Sequence, residues 1–229
     1  MIYIGNTKIG SLKIGDDAIA TGMIGTDKVF SSVPLLPTGY TQLAYVSTVA
    51  SGGYVDTGIT PSDTLGFKTR FKMQTVNPRD NAIVGARETT GNTRYLLAIY
   101  NGTASFAWLS FPSGSNRISI SANTWYDATM NYNNSRTFTI NNTTKSISGT
   151  QGTFTKTIVL LGHNRAGTMA SAESSFGRTT FTLGTGDNII ADMIPCKAPN
   201  DEVGFYDIVR EQFYGSANET ALIAGPEVT

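Results

Sequence analysis

The sequence has a single cysteine, Cys196, among its 229 residues. One cysteine excludes an intrachain disulfide framework, and its scarcity is typical of a reducing compartment. The sequence also lacks any run near the ~20 consecutive apolar residues of a transmembrane helix. The opening MIYIGNTK has neither the basic region nor the apolar core of a secretory signal. We therefore expect synthesis in a cytoplasm and no signal-directed secretion.

Charged residues are few, and the two signs are balanced. Lys and Arg total 17, Asp and Glu total 17, and the formal net charge is zero. The sequence shows no basic stripe of the kind that binds nucleic acid. A polybasic membrane anchor is missing as well. We therefore expect neither nucleic acid nor a membrane as a partner.

Helix-forming runs of Ala, Leu, Glu and Lys are missing, whereas Gly, Asn, Thr and Ser are abundant. This composition favours short strands joined by tight turns. After residue 40, strand-like runs recur roughly every 8–15 residues, with turn signals between them. In LGFKTRFKM, Phe67 and Phe71 fall on one face and Lys68 on the other. The pattern predicts an all-β fold, a two-sheet antiparallel jelly-roll sandwich. The one weak helix signal covers Asn218–Ile223.

Residues 1–31 follow a different pattern, in which an aliphatic residue recurs every five positions. Two-residue turns such as Asp16-Asp17 pair Ile14 with Ile19 and gather the aliphatic residues on one face of small hairpins. The same construction pairs Ile4 with Ile9, and Ile24 with Val29. So short a segment cannot bury such a face alone. We interpret it as an attachment or oligomerisation element that acts through Ile4, Ile9, Ile14, Ile19, Ile24 and Val29.

The segment SSVPLLPTG, with two prolines and a glycine, is typical of a linker. We therefore divide the chain into an N-terminal β appendage (1–31), a linker (32–39) and a jelly-roll domain (40–229). The uncovered aliphatic face predicts a homo-oligomer, and we expect a trimer.

Several stretches resemble known families. NTWYDATMNYNNSRTFTINN resembles the laminin-G or concanavalin-A-like jelly roll. GYTQLAYVSTVASGGYVDTGI and DMIPCKAPNDEVGFYDIVREQFYGSANETALIAGPEV together resemble a concanavalin-A-like domain of tailed phages that infect gut bacteria. The Ile-Gly repeats of residues 2–30 are similar to segments that precede such domains. The resemblance implies a virion protein, a head or tail fibre or surface adhesin, made in the bacterial host cytoplasm and attached to other virion proteins through its N-terminal segment.

The acidic residues do not form the pair that glycoside hydrolysis requires. Two carboxylates must flank the scissile bond ~5–9 Å apart, which on one strand means acids at i and i+2 or i+4. Asp201 and Glu202 are adjacent, and Asp187 and Asp192 are five apart, so each pair points to opposite faces. We therefore expect no enzymatic activity. Cys196, in the apolar run IIADMIPC, is interpreted as a buried, inert thiol.

No cofactor is expected from the residues present. Too few His and Cys residues are available for a structural zinc site. Calcium at the rim of the sandwich is left open, because carboxylates are its usual ligands. The candidate ligands are Asp56, Asp63, Asp80 and Asp187.

Sugar binding needs exposed aromatic rings with polar groups nearby. ASFAWLSF is apolar on both faces, so Trp108 is either a core residue or part of a glycan or subunit surface. Trp125 is interpreted as core. We hypothesise binding of bacterial or mucosal glycans; the alternative is a free-standing lectin module, which has no use for the uncovered face of residues 1–31. The candidate glycan contacts are Arg87, Tyr95, Tyr100, Trp108, His163, Asn164 and Arg165.

Overall fold

A computed structural model describes residues 2–4, 7–9, 13–14, 17–18, 21–24, 27–31, 36–49, 52–76, 81–88, 93–108, 114–133, 135–147, 152–184 and 188–228. The contacts divide the chain into two compact units, Met1–Pro37 and Thr38–Thr229. This boundary falls inside the predicted linker. No helix in the described ranges is long and apolar enough to cross a membrane.

The first unit contains three successive antiparallel hairpins. They are β1 (Ile2–Ile4) with β2 (Thr7–Ile9), β3 (Lys13–Ile14) with β4 (Asp17–Ala18), and β5 (Thr21–Ile24) with β6 (Asp27–Ser31). The pairs that close them are Ile4 with Thr7, Ile14 with Asp17 and Ile24 with Asp27. The hairpins are therefore where the sequence predicts them, but their registers differ from the prediction.

The predicted pairings of Ile4 with Ile9, Ile14 with Ile19 and Ile24 with Val29 are wrong. In each hairpin two residues separate the strands, and the first of them is a glycine that directly follows an isoleucine. Glycine at that position favours a two-residue hairpin connection, a signal that outweighs the neighbouring Asp16-Asp17. Ile19 lies outside the described residues, and only the backbone of the other proposed attachment residues is described.

The second unit contains nineteen strands within its described ranges. In chain order they are β7 (Thr41–Gln42), β8 (Val46–Thr48), β9 (Val55–Asp56), β10 (Leu65–Met73), β11 (Asn81–Arg87), β12 (Arg94–Tyr100), β13 (Thr103–Trp108), β14 (Ile118–Ser119), β15 (Trp125–Asn133), β16 (Ser135–Ile140), β17 (Thr143–Ser146), β18 (Val159–Leu160), β19 (Gly162–Arg165), β20 (Thr168–Ser171), β21 (Ser174–Leu183), β22 (Asn188–Lys197), β23 (Val203–Asp207), β24 (Gln212–Tyr214) and β25 (Ile223–Ala224). A 3₁₀ turn covers Gly114–Asn116. The weak helix signal at Asn218–Ile223 is wrong, because the backbone there bends and enters β25.

These strands form two large sheets that pack together as a sandwich, so the all-β, jelly-roll prediction is confirmed. Sheet 1 runs in the order β17-β16-β15-β10-β21-β22-β23-β24, with β7 beside β22 and β8 between β21 and β25. Sheet 2 runs in the order β14-β13-β12-β11-β18-β9, and the β19–β20 hairpin joins it at β11. Pairing is antiparallel in the described part of the sandwich except between β11 and β19.

The chain reverses direction at Leu161 to produce that parallel pair. β18 runs antiparallel to β11, with Leu160 opposite Val84, and β19 then runs parallel to it, with Arg165 opposite Arg87. Leu161, between the two strands, is fully buried and has a φ of 64°, a conformation that bulky residues rarely adopt.

Alternation along the strands separates the core from the outer faces. On β10 the phenylalanines at 67 and 71 are buried, whereas Lys68 and Arg70 are exposed, as the sequence predicts. Rings from both sheets meet inside. The centroid of Phe67 in sheet 1 lies 5.5 Å from that of Phe106 in sheet 2, which lies 4.8 Å from Tyr95. This aromatic cluster occupies the centre of the sandwich.

An ion pair with a fully buried carboxylate connects the two sheets at one end. Asp207, the last residue of β23, has no exposed surface and pairs with Arg210. Oδ1 of Asp207 also accepts hydrogen bonds from the backbone N–H groups of Asp192 (2.9 Å) and Val209 (3.0 Å). Nη1 of Arg210 donates to the carbonyl of Thr57 (2.8 Å), directly after β9 in sheet 2. Asp207 of sheet 1 thus holds the Arg210 side chain, which in turn binds the backbone of sheet 2.

We expect Asp207→Asn to lower the free energy of unfolding by about 3 kcal/mol or more, because it leaves the Arg210 guanidinium without its counter-charge. Urea denaturation measures this loss. The matched control is Asp201→Asn, at an acid whose side chain is 86% exposed beside Lys197. An exposed pair of this kind contributes at most about 1 kcal/mol. Equal losses for the two variants contradict the role given to Asp207.

Candidate functional site

Two of the predicted glycan contacts belong to the core. Tyr95 and Trp108 each have 0% exposure, and their rings meet at 5.5 Å between centroids. The Cζ atom of Arg136 lies over the Trp108 ring, 4.3 Å from its centroid. The Tyr95 ring lies 6.3 Å from that of Phe67 in sheet 1, and Arg136 of sheet 1 lies over Trp108, so both side chains face the opposing sheet. The prediction that Tyr95 and Trp108 contact a glycan is wrong, and the core reading of Trp108 is correct.

The interpretation of Trp125 as a core residue is also wrong, because this ring lies at the surface. Trp125 pairs with Lys72 across β15 and β10, on the outer face of sheet 1, and it is only half-buried. The next residue, Tyr126, points inward and packs against Phe71 at 5.8 Å between centroids. Both aromatic residues start the same strand, and alternation sends one ring to each face.

Trp125 belongs to a group that we call the cation–aromatic face, formed by Tyr45, Arg70, Lys72 and Trp125. The Tyr45 and Trp125 ring centroids are 5.2 Å apart. Nζ of Lys72 lies 5.1 Å from the Trp125 centroid and 5.3 Å from that of Tyr45. Cζ of Arg70 lies 5.4 Å from the Trp125 centroid. Such contacts hold cations over aromatic rings while leaving their polar ends near solvent.

A polar pocket of about 270 Å³ adjoins this face, and Arg70 is common to both. Its described lining residues are Lys68, Thr69, Arg70, Asp127, Arg178 and Thr180. Arg178 is held by Asp192, whose Oδ1 accepts from its Nε at 2.6 Å, while a second hydrogen bond joins Nη2 to Oδ2. These hydrogen bonds raise the pKa of Arg178. The guanidinium is therefore fixed and charged, with the side chain 48% exposed.

The pocket continues into a second depression of about 280 Å³ on the same sheet. Lys68 and Thr180 line both depressions, and the second adds Thr129, Asn131 and Thr182. Ile189 at its border is 46% exposed. The outer face of sheet 1 therefore carries a groove with hydroxyls, amides and cations on its floor and aromatic rings at one end.

Three of the predicted residues, Arg87, His163 and Arg165, come together on the other sheet, where Arg94 joins them. Arg94 pairs with Arg87 across β12 and β11, and Arg87 pairs with Arg165 across β11 and β19. Because directly paired residues point to the same face, these three side chains form an arginine row on the outer face of sheet 2. His163, two residues before Arg165, shares this face. Burial lowers the pKa of His163, and the charges of Arg165 and Arg87 lower it further, against an opposing backbone hydrogen bond at Ala82.

The remaining two predicted contacts do not join them. Asn164 is 3% exposed and points inward, and its Oδ1 accepts from the backbone N–H of Gly167 at 2.9 Å. This bond supports the turn at Ala166-Gly167, where both φ angles are positive (58° and 92°). Tyr100 is 39% exposed at the far end of β12, roughly 20 Å from Arg94 along the strand. Arg117 covers its ring at 4.6 Å.

Glu88, next to the arginine row in sequence, is already engaged elsewhere. Its Oε1 accepts from the backbone N–H groups of Thr155 and Lys156 (3.0 Å), and its Oε2 accepts from the Thr155 hydroxyl (3.0 Å). Burial on its own raises the pKa of Glu88, but these hydrogen bonds outweigh it, and the net pKa is lowered. The carboxylate therefore anchors the segment before β18.

The expected inert thiol agrees with the structure. Cys196 is fully buried, and burial raises its pKa to about 12. Of the calcium candidates, Asp56 accepts from the Gly58 N–H (3.0 Å) and Asp63 pairs with Arg136 (3.5 Å). Asp80 and Asp187 lie outside the described residues. Among the residues described, no three or more His, Cys, Asp or Glu side chains gather as a metal site.

Comparison of the sequence with known protein families finds no match, and no curated protein matches it. The resemblance to a phage jelly-roll domain therefore stays a prediction. The cation–aromatic face was missed because its members, Tyr45, Arg70, Lys72 and Trp125, come from three separate strand regions. The alternation Lys68, Arg70, Lys72 was the one signal in the sequence that pointed to it.

The lowered pKa of Glu88 has a consequence for stability against acid. A carboxyl group whose pKa is lowered by folding stabilises the folded state at any pH above its ordinary pKa of 4.5. This stabilisation is lost as the pH falls through the lower pKa that the group has in the folded state. We therefore expect Glu88→Gln to be less stable than the wild type at pH 7 and to approach it at low pH. Urea denaturation between pH 7 and pH 3 measures the difference. Glu219→Gln, at an exposed acid, is the control and should follow the wild type throughout.

Proposed function

We propose that this chain is a non-enzymatic structural or adhesive protein of a phage particle, and that its sandwich binds glycans through the cation–aromatic face. The observation that carries the binding part is the half-exposed Tyr45–Trp125 ring pair beside a polar pocket. Aromatic rings that remain partly open provide an apolar surface for the C–H groups of sugar rings, and polar groups beside them fix orientation.

The charges of the pocket favour acidic sugars. Lys68, Arg70 and Arg178 line it together with one described carboxylate, Asp127. Because Arg178 is held by Asp192, and Arg70 by the Trp125 ring, two of the cations are positioned before a ligand arrives. Positioned donors lose less conformational entropy on binding than free side chains. We therefore propose glycans that carry carboxylate groups, as found on bacterial and mucosal surfaces.

The same pocket favours binding over hydrolysis. Glycoside hydrolysis uses two carboxyl groups on either side of the bond. Asp127 is the one carboxylate among the described lining residues, and the nearby Asp192 is committed to Arg178. Asp127 is suited to accept hydrogen bonds from sugar hydroxyls.

Residues 1–31 support a role in an assembly. Isolated two-stranded hairpins are marginally stable in water, and the three here have strands of two to five residues. A second surface is needed to stabilise them. We propose that copies of the chain supply it in a homo-oligomer, a trimer, which attaches the sandwich to other virion proteins. The resemblance of residues 2–30 and 38–229 to phage proteins motivates this part of the proposal.

We expect Trp125→Ala to lower the affinity for an acidic polysaccharide at least tenfold, since the main apolar contact is removed. A glycan array first identifies a ligand, and isothermal titration calorimetry then measures the affinity. Tyr100→Ala is the matched control, because Tyr100 is another partly exposed ring under a cation, but on sheet 2. Equal losses in both variants, or none in Trp125→Ala, contradict the glycan site.

Deletion of residues 1–31 should convert a homo-oligomer into a monomer whose sandwich stays folded. Light scattering gives the mass of both proteins, and far-UV circular dichroism reports the β-structure. A full chain that is already monomeric contradicts the assembly role and favours a free-standing lectin module instead.

A further inference from the structure

The arginine row places three like charges at one level of sheet 2. Arg94, Arg87 and Arg165 are consecutive Cα partners on β12, β11 and β19. Neighbouring strands in a sheet are about 4.8 Å apart. Like charges directly opposite each other are unfavourable unless something neutralises them. For Arg87 and Arg165, their placement on one face raises the question of what carries the opposite charge.

The described part of the chain does not supply that charge to Arg87 or Arg165. Neither residue has a carboxylate partner there, whereas each of Arg136, Arg178 and Arg210 pairs with an aspartate. The acid closest in sequence, Glu88, has both oxygens engaged by Thr155 and Lys156. Arg70 and Arg117 also have no carboxylate partner in the described part of the chain, but each lies over an aromatic ring. Arg87 and Arg165 have neither kind of partner among the described residues.

One neighbour of the row adds a hydrogen-bond donor on the same face. His163 lies two residues before Arg165, but its ring N–H is already given to the backbone of Ala82. Thr168 pairs directly with Arg165 across the β19–β20 hairpin, and its side chain is exposed. Guanidinium groups carry several N–H donors in a planar fork that matches the oxygens of phosphate, sulfate and carboxylate.

We propose that Arg87 and Arg165 of the arginine row, with Thr168, form a binding site for a phosphate or sulfate group. The group is either a free anion or a substituent of a polymer such as a phosphate-bearing bacterial surface polysaccharide. The bound dianion neutralises the repulsion between Arg87 and Arg165 and is held by donors from β11, β19 and β20. The site lies on sheet 2 and is independent of the proposed glycan groove on sheet 1.

The test is thermal unfolding of the full chain with 0–10 mM sodium phosphate or sulfate, with sodium chloride at matched ionic strength as the reference. We expect the midpoint temperature to rise with anion concentration and to saturate, because the ligand binds the folded state. In Arg87→Gln and Arg165→Gln the rise should be lost. Without the anion these variants should be as stable as the wild type or more so, because a repulsive charge is gone.

Two controls separate the site from general salt effects. Arg117→Gln changes an arginine that stacks on Tyr100 at the far end of β12, and should keep the full response. Trp125→Ala should also keep the full response to the anion, even where it loses glycan binding. The result for one site is therefore independent of the result for the other. Arg165→Lys keeps the charge but loses the planar fork, and should weaken binding several-fold. Because Arg165 is exposed, its variants test the site even where Arg87→Gln does not fold.

The source of the anion follows from a second titration, with poly(glycerol phosphate) as the probe. Binding at least tenfold tighter per phosphate than inorganic phosphate identifies a polymer ligand, and equal affinity identifies the free anion. Either result supports the site if Arg165→Gln removes it. No saturable rise above the chloride reference, or an equal rise in Arg87→Gln and Arg165→Gln, overturns the proposal.

Discussion

The fully buried carboxylate of Asp207 is the constraint on which the arrangement of the sandwich depends. A buried charge is tolerated only with a counter-charge and hydrogen bonds, and Asp207 has both. Its partner Arg210 reaches the backbone of Thr57 in sheet 2. Its other contact, the N–H of Asp192, belongs to the residue whose side chain fixes Arg178 at the groove. A continuous series of polar contacts thus connects the Asp207–Arg210 ion pair between the sheets with the outer face of sheet 1.

The two outer faces differ in chemistry although the core between them is continuous. Sheet 1 mixes cations with aromatic rings, hydroxyls and a carboxylate, which suits a ligand with both apolar and polar surfaces. The described end of sheet 2 at the arginine row offers guanidinium groups and no aromatic ring pair, which suits an oxyanion. A chain with zero net charge can therefore present two basic surfaces, because its acids are used for structure, as with Asp63, Asp192 and Asp207.

Alternation and turn composition predict the sandwich well, since they depend on neighbours in sequence. The faces of β10 followed directly from that reasoning. Whether a tryptophan is buried depends instead on which face of its strand packs against the opposing sheet, so Trp108 and Trp125 were interpreted with less success. The arginine row depends on the parallel pairing of β11 with β19, across a gap of almost eighty residues that no local pattern reports. The hairpin registers of residues 1–31 needed the position of each glycine, a finer signal than the five-residue repeat.

The reversal at Leu161 has a consequence for how this fold can diversify. It anchors the start of the β19–β20 hairpin with a buried leucine in a conformation that costs about 1–3 kcal/mol and is retained only where packing enforces it. The tip of the hairpin at Ala166-Gly167 also has positive φ angles, but it is not packed against the core, and a side chain at Gly167 would meet nothing within 4 Å. A rigid base with a replaceable tip is a suitable arrangement for exchanging specificity by insertion or substitution. Changes in ligand preference can therefore accumulate at this tip while the buried base of the hairpin keeps its packing.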